Sequence, residues 1–457
     1  MQDSGAELRS DGGAARAGAG LLGLSGYHWL VIAAGWAGWG FDVFDALLFN
    51  FVAPNCIPVL LHLPRGSPEA RAATVFWTGA ITSILLVGWA VGGVLFGWIG
   101  DRIGRKKALF ATIALYAVGT AACALSTNMG ELVLFRIIAS LGIGGEWGLG
   151  AALIAETVPE NRRIEAGVIM QSSSPVGIAL ASLVNYQLAG VWFAGQPETS
   201  WRYVFLAGLA PVALAVLVRL FIRESDRWKQ RPKDAPTASP LELFRPAVRK
   251  LTLSGFVPAV TALLTWWACN AFIPLLGGTL ANEHASATGL TADAASLLAE
   301  SWKGRASNLF NIGGLLGTLA AIPLAHWLGR RWMFGAYFIW STVSLWAAFG
   351  LDLEPAARLA MLLPVGAGIY GVFGAFSFYL PELFPSRLRA TGAGFCYNIG
   401  RVFAAAGPII VGSISAAAGG SSAVIMSTLL WLALVPLAAA IAVPFVVIET
   451  RGRELPA

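Results

Sequence analysis

Apolar residues come along this chain in runs long enough to cross a bilayer, separated by short polar loops. A membrane span takes about 20 mostly apolar residues. Twelve such runs can be laid out, with cores near 28–51, 75–98, 108–126, 131–155, 166–190, 202–222, 252–276, 305–327, 332–351, 357–380, 390–415 and 423–447. The widest polar interruption, 223–250, carries Pro232, Pro236, Pro240 and eight Lys and Arg residues. The pattern predicts an all-α integral membrane protein of twelve transmembrane helices, with six-helix halves at 27–222 and 251–448 joined by a 223–250 linker. Residues 1–26 are rich in Ala, Gly and Ser and read as a disordered tail, with a second short tail at 449–457. Leu21-Leu22-Gly23-Leu24 is too short an apolar stretch for a signal-peptide core.

Composition agrees with the pattern. The chain is 56% hydrophobic and 12% charged, about half the charge fraction of soluble domains. The net charge of +6 does not indicate nucleic acid, because the basic residues sit in loops between spans. With an even number of spans and the basic 97–107 loop placed inside, 22 of the 31 Lys and Arg fall in cytoplasmic segments and six in outer ones. The positive-inside rule then places both termini in the cytoplasm. No Asn-x-Ser/Thr sequon occurs and the start is not transit-like, which suits a bacterial inner membrane. Cys56, Cys123, Cys269 and Cys396 lie in or near apolar runs without metal-ligand spacing and are expected as buried thiols, so no metal and no cofactor is expected.

The loop between the second and third runs reads Gly97-Trp-Ile-Gly-Asp101-Arg102-Ile-Gly104-Arg105-Lys106-Lys107. It resembles the Gly-x-x-x-Asp-Arg-x-Gly-Arg-Lys/Arg signature of the major facilitator superfamily. The second half repeats parts of the first. Gly104-Arg105-Lys106 returns as Gly329-Arg330-Arg331, with His326 in place of Asp101, and Glu156-x-x-Pro159-x-x-x-Arg163 returns as Glu382-x-x-Pro385-x-x-x-Arg389. Repeats of this kind are what parallel six-helix halves require. The resemblance implies a cytoplasmic latch of ion pairs among Asp101, Arg105, Glu156, Glu382 and Arg389, with Arg102 and Lys106 in the same loop. Helix-end solvation is the plain alternative for these residues.

Charges inside spans are costly and mark chemistry. Asp42 and Asp45 stand three apart on the first span, which puts them on one face. They are candidates for carrying a proton, or for locking helix packing. Arg136 on the fourth span lies about 8 Å below its outer end, a depth compatible with Asp45 and with Asp42, although a snorkelling Arg is the alternative. Glu146 on the same span is read two ways, as a titrating group or a packing partner. The glycines from Gly142 to Gly150 are expected to form one smooth helix face. Arg401 sits about 18 Å into the eleventh span, where a guanidinium either grips an anionic substrate or pairs with Glu146. Gln171, Asn270, Asn308, Asn311, Tyr397 and Asn398 are further candidates for the cavity wall, and Trp36, Trp39, Trp266 and Trp267 for its stacking surfaces. Pro175 and Gly407-Pro408 are expected bends.

The run Gly142-Ile-Gly144-Gly145-Glu146-Trp147-Gly148 and the Asp42–Asp45 pair resemble the metabolite:proton and sialate- or lactate-type organic-acid symporters of that superfamily. Aromatic-acid:proton symporters have a similar first helix. Together the residues and the resemblance imply a secondary transporter, not an enzyme. It would move a small organic anion with protons by alternating access, and work as a monomer in the lipid bilayer. No Gly-x-x-x-x-Gly-Lys-Ser/Thr loop is present to support ATP drive. A sugar or polyol symporter is the alternative, from two stretches similar to sugar-porter motifs, Arg223-Glu224-Ser225-Asp226-Arg227-Trp228 and Glu449-Thr450-Arg451-Gly452. A uniporter and a non-transporting nutrient sensor remain, the sensor disfavoured by the short C-tail.

Overall fold

Side-chain caps set where several of the helices begin. Ser25, Ser67, Asn128 and Thr291 each accept a hydrogen bond from a backbone N–H of the first turn, which satisfies donors that a helix start leaves without partners. In the computed structural model, residues 21–456 are described apart from 65–66, 194, 197, 210–212, 214–219, 231–238 and 407–421. The first half contains α1 (Gly26–Leu60), α2 (Pro68–Ile103), α3 (Arg105–Leu125), α4 (Met129–Thr157), α5 (Arg163–Gln171), α6 (Ser173–Asn185) and α7 (Ser200–Ala207). The second contains α8 (Arg249–Thr288), α9 (Ala292–Gly350), α10 (Pro355–Ala360), α11 (Leu362–Ile369), α12 (Phe373–Leu383), α13 (Arg389–Ala404), α14 (Ser422–Leu432) and α15 (Leu434–Val446).

Among the described residues, nine helical stretches are long and apolar enough to cross a membrane. One of them holds two of the expected spans. A straight 59-residue α9 would run about 88 Å, near three times the ~30 Å hydrocarbon thickness. It turns instead at Gly329, whose φ of 76° is open to glycine at little cost. Gly104, at φ 104°, makes the matching turn between α2 and α3. The described helices therefore follow the twelve expected spans in order. The sixth and eleventh are seen in part, because they run into 210–219 and 407–421. The expected Gly407-Pro408 bend, residues 1–20 and the middle of the linker also lie outside the described residues. Pro175 falls at the start of α6, just past a break at Ser172.

The halves meet where α2 and α4 pack on α13 and where α5 packs on α12 and α9. Small residues make this approach close. A Cβ on Gly97 would come within 2.7 Å of the Ala390 carbonyl oxygen, and one on Gly148 within 3.3 Å of the Gly394 Cα. The glycines of α4 do not form one face, contrary to expectation. Gly142 lies against the α3 backbone at Thr112 and Tyr116, Gly144 against Trp89 on α2, and Gly148 against α13. At about 100° per residue their spacing spreads them around the helix, so they let three neighbours close in at once. All four cysteines are buried and free, as expected.

Candidate functional site

A small enclosed cavity of about 50 Å³ lies where the two halves face each other. A water needs about 10–15 Å³ of such space, so this conformation has room for a few waters and not for a metabolite. Its walls are mostly rings: Trp39 from α1, Trp89 from α2, Trp266 and Trp267 from α8, Phe373 from α12 and Tyr397 from α13. Tyr397 stacks on Trp147 of α4 with centroids 3.7 Å apart. Arg401 enters between Trp89 and Tyr397, its guanidinium 4.2 and 4.7 Å from their ring centroids. It is 3% exposed. It donates to Asn398 Oδ1 from the previous turn of α13 and also bonds the Tyr397 hydroxyl, which Gln171 reaches from the other half. The nearby charge that acts on Arg401 is that of Asp42, not Glu146. Glu146 turns instead to the hydroxyl of Thr112 on α3, 3.3 Å away.

The two first-helix acids thus have different surroundings. Asp42 faces the field of Arg401. Asp45, one turn on, forms an ion pair with Arg136 at 3.5 Å and accepts from Thr120 Oγ1 at 2.8 Å. Arg136 also donates to the Ala46 carbonyl and lies over the Phe49 ring, and its side chain is 0% exposed. It is a buried partner of Asp45, and the snorkelling reading is overturned.

At the end of the bundle that bears the 97–107 loop, the halves are held by two ion-pair clusters. Arg105 binds Asp101 at 3.0 Å and Glu156 at 2.9 Å, and Glu156 also binds Arg389 of the second half at 2.8 Å. Asp101 accepts from the Thr391 backbone N–H at 2.8 Å and from its hydroxyl at 2.5 Å. The second cluster repeats the first. Arg330 binds Glu382 at 2.8 Å, and Glu382 faces Arg163 of the first half at 3.7 Å. Each cluster is buttressed by an acid beyond the last span of its half. Glu224 accepts from the backbone N–H groups of Arg105 and Lys106, and Glu449 accepts from those of Arg330 and Arg331. Burial alone would push the Glu449 carboxyl up, but the N–H groups of Arg330, Arg451 and Arg331 and the Arg330 charge hold it below the usual carboxylate range.

The model of the sugar (and other) transporter family matches residues 57–239. A Haemophilus influenzae protein described as a metabolite transport protein is 30% identical over 342 residues, covering 69% of this chain and 74% of that one. The chain belongs to the major facilitator superfamily. It is a transporter rather than an enzyme. The sialic acid transporter NanX of Escherichia coli is 25% identical over 385 residues, with 83% of this chain and 85% of the relative covered. The solved proton:xylose symporter XylE shares the fold at a TM-score of 0.70 and 20% identity, covering 94% of this chain and 98% of XylE.

In this superfamily member the expected residues divide as follows. Arg401, Gln171 and Tyr397 line the cavity, with Asn398 bonded to Arg401 behind them. Asn270, Asn308 and Asn311 do not line it. Asn308 is exposed and faces a separate groove beside Trp302 and Arg305. Trp36 is bonded to Ser172 instead of lining the cavity. Arg102 and Lys106 lie beside the ion-pair clusters and not in them: Arg102 stacks on Trp98 at 4.0 Å and Lys106 reaches the Leu220 carbonyl. Trp89, Ser174, Tyr370, Arg163 and Arg330 belong to the two sites and were not singled out. The 225- and 226-residue offsets that pair Arg105 with Arg330 and Arg163 with Arg389 were the signal for the last two.

Proposed function

We propose that this membrane protein is a proton-coupled symporter of a small organic acid, working by alternating access in the inner membrane of a bacterium with both termini in the cytoplasm. The observation that carries the reading is Arg401. A guanidinium 3% exposed, held flat between Trp89 and Tyr397 in the cavity where the halves meet, suits a carboxylate that it can hold by two parallel bonds. The Asp45–Arg136 pair supplies a carboxylate at membrane depth that can take up a proton and release its partner. The sialic acid relative moves an acid. The ion-pair clusters at the 97–107 end act as the cytoplasmic gate, closed in this conformation.

The sugar reading drew on two stretches similar to sugar-porter motifs. Glu224 and Glu449, from those stretches, buttress the two clusters, far in sequence and space from Arg401. They speak for how the gate is built and not for what is carried. The test is uptake by purified protein in liposomes under an imposed inward proton gradient, with labelled lactate, sialate, an aromatic acid and glucose. Acid accumulation that follows the gradient and is lost in Asp45→Asn is expected. Equal acid uptake with and without the gradient would leave a uniporter, and uptake of glucose alone would return the protein to the sugar porters.

A further inference from the structure

The cavity lining has used its acceptors and kept its donors. Gln171 Oε1 accepts from Trp147 Nε1 at 3.1 Å, the Ser174 and Tyr370 hydroxyls are bonded to each other at 2.6 Å, and Asn398 Oδ1 behind the wall takes Arg401. The donors are in the opposite condition. The indole N–H groups of Trp39, Trp89 and Trp266 and the Nε of Arg401 are buried without a hydrogen-bond partner among the described residues. Trp39 and Trp89 are each 4% exposed, so solvent does not serve them. A buried donor left without an acceptor is a standing penalty, which a ligand relieves by bringing one. Two of these donors belong to the first half (Trp39 on α1, Trp89 on α2) and two to the second (Trp266 on α8, Arg401 on α13). The surfaces between them are ring faces, suited to offset stacking.

We propose that Trp39, Trp89 and Trp266 are specificity-determining residues, and that the site takes a flat carboxylate carrying a second hydrogen-bond acceptor, such as a ring nitrogen or an oxo group. The inference rests on the reading of the protein as an organic-acid transporter and narrows its cargo. The carboxylate sits on Arg401 and the second acceptor takes an indole N–H, so that one rigid molecule bridges both halves. A polyol fits poorly, because each hydroxyl brings a donor that needs an acceptor where the lining has none left to give.

Binding to the purified full-length protein is measured by calorimetry with five probes: pyridine-3-carboxylate, benzoate, cyclohexanecarboxylate, N-acetylneuraminate and xylose. The pyridine acid is expected to bind about tenfold more tightly than benzoate, which matches its shape without the ring acceptor, and benzoate more tightly than the puckered cyclohexane acid. Trp39→Phe, Trp89→Phe and Trp266→Phe keep a ring and delete the N–H, and at least one is expected to bring the ratio of the first two affinities close to one. Equal affinities in the wild type overturn the proposal with no variant needed, so a misfolded variant cannot shelter it. A ratio unchanged in all three variants overturns it too, as does failure of every flat acid to bind. Binding of N-acetylneuraminate alone leaves the organic-acid reading standing and removes this one, and binding of xylose alone removes both.

Discussion

Glu156 Oε1 is one atom holding a cation from each half. Arg105 Nη2 lies at 2.9 Å and Arg389 Nη1 at 2.8 Å, with all three side chains 0% exposed. Glu156→Gln removes the charge and keeps the shape. Taking one partner from a buried ion pair costs about 3–5 kcal/mol. The low end applies here, because glutamine retains an acceptor oxygen, Arg105 keeps Asp101 at 3.0 Å, and Arg389 keeps the Pro381 and Pro456 carbonyls. In the open state both guanidinium groups are hydrated, so the loss falls on the closed gate alone. About 3 kcal/mol moves the closed-to-open ratio by about 150-fold. A reporter is available at Ser386, which is 7% exposed and whose carbonyl accepts from Arg105. In Ser386→Cys the new thiol is reactive only when the gate opens, and the native thiols are buried. Labelling by an impermeant maleimide then tracks the open fraction. The added Glu156→Gln change is expected to speed labelling by about two orders of magnitude, until the open form predominates. Labelling no faster than in the Ser386→Cys parent would refute the assignment of this cluster as the gate.

Other outcomes follow from the same geometry. Arg401→Lys is expected to abolish acid uptake nearly as fully as Arg401→Ala, because an ammonium cannot fill the flat slot between Trp89 and Tyr397; transport assays in liposomes decide it. Glu449→Gln should lower the melting temperature at pH 7. The folded carboxyl is held below its ordinary value, so its contribution is present above the unfolded range and lost as pH falls through the folded value. The gap between wild type and variant therefore closes only below about pH 4.3, as a thermal-shift series would show. His326 meets Glu165 across the halves at 3.2 Å, and Arg162 reaches the same oxygen at 3.4 Å. Imidazoles change charge between about pH 5 and 8. Labelling at Ser386→Cys is therefore expected to rise from pH 6 to pH 8, and to lose that dependence in His326→Gln.

The spans were legible because bilayer thickness sets a length that apolar runs must meet, and the loop charges then set their direction. The Arg136–Asp45 pair was legible because an ion at membrane depth needs a counter-ion and few are offered. The cavity wall was only half legible. Trp89, Ser174 and Tyr370 sit in spans apolar all round, where no polar stripe shows which way a helix is turned. Asn270, Asn308 and Asn311 were chosen as polar groups in spans, a criterion blind to rotation for the same reason. Arg102 and Arg105 differ by three positions in one basic loop. Only the turn at Gly104 sends Arg105 inward and leaves Arg102 on Trp98.

The clusters at the 97–107 end also divide unevenly when the halves part. Asp101 and Glu156 leave with Arg105, and Arg163 leaves with its neighbour Glu160, so the first half departs with one negative charge in excess. Arg330 and Arg389 leave with Glu382, one positive charge in excess. Separation therefore loads an electrostatic spring whose reach is the Debye length, about 8 Å at physiological salt. The ionic strength of the surrounding water then sets how far the halves travel before reclosure no longer has that pull, and so how long the protein dwells open on that side.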